Sequence, residues 1–193
     1  MSQCIEIEIQ VQIQKSAPLL AFLKKNAQLI GTEKQIDEYF TPAHDDFAKS
    51  RPIDRWLRLR EADGTYFINY KNWHHDTKSG KTNYADEFES KIENIAALRK
   101  IFSVLNIKPL TTVNKTRQIW LYQDYEIAID MVKDLGNFVE IEYKGLAKNP
   151  DPNTVTQDMI IFLKKVGCGK IVRNHHGYPF LLMFPDEARY EGQ

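Results

Sequence analysis

Cysteine and long apolar runs are scarce in this sequence. Its 193 residues include two cysteines, Cys4 and Cys168, which lie far apart and outside any Cys-x-x-Cys spacing. We therefore expect a reduced, cytoplasmic protein without a disulfide. Charged residues begin at Glu6 and no apolar run approaches the length of a membrane span, so we expect neither a signal peptide nor membrane insertion.

Net charge and glycine-rich phosphate loops are also missing. The chain has 26 acidic and 26 basic residues, so no overall field favours binding to nucleic acid or to a membrane surface. Neither GxxxxGK[ST] nor GxGxxG occurs, so any recognition of phosphate must come from side chains. The length and the 42% hydrophobic content fit one domain, residues 1–193, with a substantial core.

Alternating polar and aliphatic residues predict that much of the chain forms strands. In the first run, residues 5–14, every second side chain is aliphatic, which places Glu6 and Glu8 side by side on one face, roughly 7 Å apart. A later run repeats the pattern with Glu140 and Glu142. Carboxylates stacked in this way repel each other unless a cation lies between them. The pattern therefore indicates a divalent metal.

The order of the elements indicates strands with helices inserted between them. The strand-like runs cover residues 5–14, 33–40, 56–61, 66–70, 84–89, 111–122, 125–132 and 137–143. Apolar residues at helical spacing predict helices over residues 16–31, 92–105 and 154–166. Gly31 and Gly167 are expected to end the first and the last helix, and residues 72–81 are expected to form a loop.

Charged side chains share one face on several of these strands. The pairs spaced two residues apart are Arg58 with Arg60, Glu87 with Glu89, and Lys115 with Arg117. An ordinary antiparallel sheet would leave such a face in solvent. Taken together, the strands favour another arrangement, in which helices cover the aliphatic faces and the charged faces line a closed or nearly closed barrel. A charged interior is tolerated only if it holds water, metal and a charged ligand.

Such an interior would have an acidic and a basic wall. The acidic residues are Glu6, Glu8, Asp130, Glu140 and Glu142, and their hard oxygen atoms suit Mg²⁺ or Mn²⁺. The basic residues are Arg58, Arg60, Lys71, Lys115 and Arg117, which are able to hold several phosphate oxygens. The residues alone therefore predict a metal and a polyanion in a polar barrel.

These motifs, in this order, resemble those of the CYTH superfamily, the triphosphate tunnel metalloenzymes. They are Glu6-Ile7-Glu8, Arg58-Leu59-Arg60, Tyr70-Lys71, Glu87-Phe88-Glu89, Lys115-Thr116-Arg117, Asp130, and the run from Leu135 to Glu142. The stretch from Lys115 onward is most similar to the class IV, CyaB-type adenylyl cyclases. The resemblance implies an α+β fold, an eight-stranded antiparallel β-barrel, closed or nearly closed, with helices packed outside, and it implies a homodimer.

The resemblance also implies roles for individual residues. The implied ligands of Mg²⁺ or Mn²⁺ are Glu6, Glu8, Asp130, Glu140 and Glu142. The implied triphosphate-binding residues are Arg58, Arg60, Lys71, Lys115, Arg117 and Arg173, and the implied catalytic residues are Glu6, Glu8, Arg58, Arg60 and Lys71. Where the family motif has lysine, this chain has Gln10, which keeps a hydrogen-bonding group and loses a positive charge.

The implied reaction converts ATP into cyclic AMP and pyrophosphate. Two alternatives remain open. One is hydrolysis of inorganic tripolyphosphate, thiamine triphosphate or a nucleoside triphosphate, and the other is triphosphate binding without turnover, because Gln10 replaces the lysine. Trp73 either stacks on a base or packs within the fold. No residue in the sequence identifies an adenine pocket.

Overall fold

The structure, a computed structural model, describes residues 7–75, 82–146, 150–174, 176–188 and 190–191. This part of the chain forms antiparallel β-structure with helices, so the fold is α+β, as predicted. It falls into two compact units. The first unit comprises residues 1–33, 115–177 and 186–193, and the second comprises residues 34–114 and 178–185.

Ten strands and four α-helices occur among the described residues. The strands are β1 (Glu8–Ile13), β2 (Gln28–Pro42), β3 (Arg55–Ala62), β4 (Thr65–His75), β5 (Thr82–Ile92), β6 (Ile107–Tyr122), β7 (Tyr125–Val132), β8 (Gly136–Tyr143), β9 (Ile171–Asn174) and β10 (Tyr190–Glu191). The helices are α1 (Ala17–Asn26), α2 (Ile95–Val104), α3 (Pro152–Val166) and α4 (Tyr178–Met183). None of the helices in the described ranges is long and apolar enough to cross a membrane.

Hydrogen bonds join antiparallel neighbours within each unit. The strand order of the first unit is β10-β9-β1-β8-β7-β6, and that of the second unit is β2-β3-β4-β5. In neither unit do the pairings of the described residues close the strands into a ring. The eight strand-like runs of the sequence correspond to β1–β8, and the short strands β9 and β10 were not predicted.

The core of the first unit lies between its sheet and two helices. Leu19 and Leu23 of α1 and Leu163 of α3 are fully buried. They pack against the aliphatic side chains of β1, β7 and β8. Val11 and Val139, on the same face of β1 and β8, are also excluded from solvent. The prediction that helices cover the aliphatic faces is confirmed for this unit, and the opposite face of these strands carries the charged residues.

The second unit has its own smaller core. Phe40 of β2 and Leu59 of β3 pack with Ile95 and Phe102 of α2. The rings of Phe40 and Phe102 meet edge to face with centroids 5.1 Å apart. The side chain of Asn94 accepts a hydrogen bond from the Ala97 amide at 2.9 Å, which caps the first turn of α2. This helix begins three residues later than the sequence analysis predicted, because residue 94 supplies the cap.

The predicted helix over residues 16–31 is wrong in its second half. Helix α1 ends at Asn26, and β2 begins at Gln28. Ala27 is extended, with φ −128° and ψ 162°, and its backbone N–H donates to the Leu23 carbonyl at 2.8 Å. Ile30, which follows, is 54% exposed. The apolar stripe of the helix therefore does not extend to Gly31.

The predicted loop over residues 72–81 is also wrong at its start. Strand β4 continues to His75, because Asn72 pairs with Asp86 and Trp73 pairs with Ala85 of β5. Residues 76–81 lie outside the described ranges. The predicted end of the last helix is confirmed, since Gly167 caps α3 with a left-handed φ of 89°.

Replacing Leu163 by alanine should lower the free energy of unfolding of the protein. Leu163 is 0% exposed, and removing such a side chain typically costs about 2–5 kcal/mol in lost transfer energy and cavity formation. Ile161→Ala, on the same helix at a position 38% exposed, is the control, with an expected cost below about 1 kcal/mol. Urea unfolding followed by circular dichroism measures both, and equal losses would show that α3 is not anchored through Leu163.

Candidate active site

Strand register brings acidic residues of the first unit to one face. Glu8 of β1 lies opposite Glu142 of β8, and Gln10 lies opposite Glu140. Residues directly opposite each other point to the same side of a sheet, so these four side chains share a face. Glu126 of β7 lies opposite Glu142 on its other side. We call Glu8, Glu142 and Glu126 the carboxylate row.

Glu126 was not among the predicted site residues, although the sequence pattern around it indicates its face. It stands four residues before Asp130 in an alternating run, which places the two side chains on the same face of β7. Like charges at adjacent positions across strands destabilise a sheet unless a cation offsets them. The carboxylate row therefore has a physical need for positive charge.

A buried ion-pair network lies on the same face. Asp130 is 0% exposed, and it accepts hydrogen bonds from Arg117 Nε at 2.7 Å, from Arg117 Nη2 at 2.5 Å and from Lys115 Nζ at 3.2 Å. Arg117 Nη2 also contacts Glu140 Oε2. Register explains the network, because Arg117 lies directly opposite Asp130. Burial of these charges is tolerated because each is paired and hydrogen-bonded.

The network changes what is expected of Asp130. The structure brings Lys115, Arg117, Asp130 and Glu140 together, as the face pattern predicted. Both oxygens of Asp130, however, are bound by cationic side chains. The geometry therefore favours Asp130 as the anchor of two cations over Asp130 as a metal ligand. Its predicted ligand role, and the triphosphate-binding role of Lys115 and Arg117, stay predictions.

Gln10 occupies the position at which the resemblance implies lysine. Its side-chain amide donates a hydrogen bond to Glu140 Oε1 at 2.8 Å, while Arg117 contacts the other oxygen of the same carboxylate. Glu140 is therefore oriented from both sides, once by a neutral donor and once by a cation. A lysine at position 10 would add a positive charge beside Glu140.

The donor atoms of the carboxylate row suit a hard divalent cation. Lys144 Nζ contacts Glu142, so a metal would have to replace this ammonium group. No three Asp, Glu, His or Cys side chains within the described ranges converge closely enough to hold a metal ion. Glu6, a predicted ligand, lies outside the described residues. The donor chemistry thus fits a metal, and binding requires these carboxylates to leave their present partners.

Among the predicted site residues of the first unit that the structure describes, only Arg173 is placed on the other face by the strand register. It pairs with Val11 of β1, and Val11 is fully buried on the apolar side of that strand. Gln12, on the charged side, pairs instead with Val172. The structure therefore does not bring Arg173 to the face that carries Glu8 and Glu140, and a phosphate contact by Arg173 is not favoured.

The strand register of the second unit places its predicted charged residues on one face. Arg58 lies opposite Tyr39 on β2 and Asn69 on β4, and Arg60 lies opposite Asp37. On β5, Glu89 lies opposite Asn69 and Glu87 lies opposite Lys71. The predicted sharing of one face by Arg58, Arg60, Lys71, Glu87 and Glu89 is confirmed by these pairings.

Asp37 is a buried carboxylate that the sequence analysis missed. Its side chain is 3% exposed, and it accepts hydrogen bonds from Arg60 Nε at 2.6 Å and from Arg60 Nη2 at 2.7 Å. This is the two-pronged geometry that fixes a guanidinium most firmly. Asp37 shares a face of β2 with Gln35 and Tyr39, and all three residues are buried. In the sequence, only the two-residue spacing of these residues within a strand-like run points to a shared face.

Arg58 is held much less firmly than Arg60. Its nearest carboxylate oxygens, those of Asp37 and Glu89, are 3.7 Å away, beyond hydrogen-bonding distance. Its buried Nε has no hydrogen-bond partner among the residues that the structure describes, which typically costs about 1–3 kcal/mol. Burial and the Asp37 carboxylate raise the pKa of Tyr39 to about 12, against the opposing effect of Arg58 and Arg60.

A buried amide organises the two glutamates of β5. Asn69 is 3% exposed, and its Nδ2 donates to Glu87 at 2.7 Å and to Glu89 at 3.3 Å. Lys71 Nζ lies 3.2 Å from Glu87 and 4.4 Å from the centre of the Trp73 ring. Although burial alone raises the pKa of Glu87, the Asn69 hydrogen bond and the Lys71 charge lower it further than burial raises it.

Asn69→Ala should raise the pKa of Glu87, because it removes the strongest interaction that favours the ionised carboxylate. A lowered pKa stabilises the fold above the pKa of the unfolded chain, and this contribution is lost as the pH falls through the folded pKa. The variant should therefore lose less stability on acidification than the parent. Carboxyl-carbon NMR titration of Glu87 measures the shift. The control is Asn114→Ala, an exposed asparagine on β6, and equal Glu87 titration curves in parent and Asn69→Ala would contradict the expectation.

Comparison with known proteins adds a family to this geometry. Residues 4–177 match the family model of the CYTH domain. A protein of Methanocaldococcus jannaschii, named "Putative adenylate cyclase MJ0240", is 35% identical over 167 residues, covering 86% of this chain and 91% of that protein.

Solved structures share the fold. The PH1819 protein from Pyrococcus horikoshii OT3 has a TM-score of 0.68 and 23% identity, covering 92% of this chain and 98% of that one. The protein HpAC1 from Hippeastrum, described as a "putative adenylyl cyclase" with "a dominant triphophatase activity", has a TM-score of 0.65 and 17% identity, covering 96% and 100%. At these identities the likeness concerns the fold alone. The extent of the family match, together with the identity to the archaeal relative, shows that this chain belongs to the CYTH family.

Proposed function

We propose that this protein binds a triphosphate together with Mg²⁺ or Mn²⁺ and turns it over, in the first place as an adenylyl cyclase that converts ATP into cyclic AMP and pyrophosphate. The observation that carries the proposal is the carboxylate row, which shares its face with the partly buried Arg117 and the buried Lys115. Carboxylates in adjacent register need a cation, and cationic side chains beside them need an anion.

Glu8, Glu140 and Glu142, with Glu6, are the residues that would hold the metal. When bound, a divalent cation neutralises phosphate charge and polarises the phosphate oxygens. Asp130 has a separate task in this proposal. By binding both Lys115 and Arg117, it holds their charged groups in place for phosphate oxygens, so that little reorganisation is needed when the substrate arrives.

In the second unit, Arg58 and Lys71 are the proposed phosphate contacts. The carboxylates nearest to Arg58 lie at 3.7 Å, so a phosphate oxygen offers it a closer charged partner than these carboxylates do. Lys71 is held between Glu87 and the Trp73 ring. The interaction with Trp73 orients the ammonium group without neutralising its charge.

The cyclase assignment draws support from the name of the archaeal relative. In that reaction the ribose 3′-oxygen attacks the α-phosphate, and pyrophosphate leaves. A triphosphatase is the second candidate, favoured by the activity named for HpAC1, and in that reaction water attacks the terminal phosphate. The two reactions use the same phosphate contacts and differ in the nucleophile.

Product analysis distinguishes the candidates. The purified protein is incubated with Mg²⁺ or Mn²⁺ and, separately, with ATP, GTP, thiamine triphosphate and tripolyphosphate. Cyclic AMP with pyrophosphate identifies a cyclase, and orthophosphate identifies a triphosphatase. Binding of tripolyphosphate without any product would identify a binding module, and the absence of both binding and products would refute the proposal.

Glu142→Gln should weaken metal binding and activity together. Loss of one carboxylate from the carboxylate row is expected to raise the metal concentration needed for half-maximal activity about 10- to 100-fold. Excess metal should restore part of the rate. Glu93→Gln, an exposed glutamate after β5, is the control. A rate that falls equally at every metal concentration would argue against a ligand role for Glu142.

Gln10→Lys should lower the KM for tripolyphosphate. The new ammonium group would stand beside Glu140 and add a charged donor, worth roughly a tenfold change. Gln12→Lys places the same charge two residues further along the same face, where Gln12 lies opposite Phe138, and should have a smaller effect. Equal effects of the two lysines would show that net charge alone decides affinity.

A further inference from the structure

We propose that Asp37 is a positioning residue that holds Arg60 in place, and that Arg58, two residues away on β3, therefore contributes more than Arg60 to binding the phosphate of the substrate. This inference rests on the proposed function, and it gives unequal roles to two arginines that the sequence pattern treats alike.

The ion pair with Asp37 fixes the guanidinium group of Arg60. Asp37 is almost excluded from solvent, and its two oxygens accept from Nε and Nη2 of Arg60 at 2.6 and 2.7 Å. The charges of the pair therefore largely cancel, and the guanidinium group of Arg60 is fixed at two of its nitrogen atoms. Arg60 keeps further N–H groups, but the adjacent carboxylate weakens its attraction for a phosphate.

Arg58 has no carboxylate as close as the one that binds Arg60. Both arginines lie on the same face of the same strand, and both side chains are mostly buried, with 16% and 20% exposure for Arg58 and Arg60. Arg58 approaches Asp37 and Glu89 only to 3.7 Å. Its Nε makes no hydrogen bond within the described part of the chain. Arg58 thus lies near two carboxylates but lacks the close two-pronged contact that Asp37 makes with Arg60.

The surroundings of Arg58 also keep it from moving towards Asp37. Tyr39 lies opposite Arg58 on β2 and is 8% exposed, and its ring packs edge to face on Trp56 with centroids 5.4 Å apart. Asn69 lies opposite Arg58 on β4 and is committed to Glu87 and Glu89. Asp37 is committed to Arg60. The contacts of Arg58 are therefore looser than those of Arg60, so a phosphate oxygen would replace them more easily.

Matched substitutions of the two arginines test the inference. In the full chain with Mg²⁺, tripolyphosphate binding is measured by calorimetry for Arg58→Lys and Arg60→Lys. We expect the Kd to rise about 30-fold or more for Arg58→Lys and about threefold for Arg60→Lys, because lysine lacks the planar fork that matches phosphate. A larger effect at Arg60 than at Arg58 would overturn the division of roles.

Asp37→Asn tests the positioning role through kinetics. The substitution frees the Arg60 guanidinium and removes one negative charge. We expect kcat to fall about tenfold or more while KM stays equal or decreases, since the freed cation strengthens binding without the correct orientation. Partial unfolding would instead leave KM unchanged and lower the melting temperature. Unchanged kcat and KM in a folded variant would overturn the proposal.

A measurement without substrate separates this inference from the proposed function. In nitrogen-15 NMR of the arginine side chains, the Arg60 Nε–H should exchange slowly with solvent in the parent and quickly in Asp37→Asn, whereas the Arg58 signal should change little. If the parent bound and processed no triphosphate, the proposed function would fall and with it the role of Arg58. The Arg60 signal would still decide whether Asp37 holds Arg60.

Discussion

Two carboxylates that are almost removed from water hold the charged side chains of this protein in place. Asp130 in the first unit and Asp37 in the second each accept hydrogen bonds from Nε and Nη2 of an arginine with their two carboxylate oxygens. A buried charge without a partner is far more costly than a buried pair, so each aspartate and its arginine restrain one another. Gln10 and Glu140 in the first unit, and Arg58 and Tyr39 in the second, take their positions around these pairs.

This arrangement explains how a chain with no net charge is suited to a highly charged ligand. On the face of each unit, cationic groups are already matched with carboxylates, so the fold is stable before a ligand binds. A triphosphate with a divalent cation brings both signs of charge at once. In the proposed function, the anion would meet cations whose orientation is set, and the metal would relieve the repulsion between the carboxylates.

The differences between expectation and structure have local causes. The first helix ends at Asn26 because Ala27 is extended and leads directly into β2, a change that apolar spacing does not reveal. Strand β4 extends to His75 because β5 pairs with it, although the same residues are polar enough to form a loop. Arg173 fell on the apolar face because strand pairing, and not residue type, decides which way a side chain points.

The period-two alternation of the sequence by itself determined the strands and the faces that carry Glu8, Arg58, Arg117 and Glu140, because a strand places alternate side chains on opposite sides whatever its neighbours are. Apolar residues at helical spacing indicated the helices between the strands. The alternation did not determine which side chains contact one another across strands. Only the tertiary structure showed that Asp37 binds Arg60, that Asp130 binds two cations, and that Arg58 and Arg60 differ. The reason is that partners depend on the register between strands distant in sequence, and a shift of one residue would exchange the two faces.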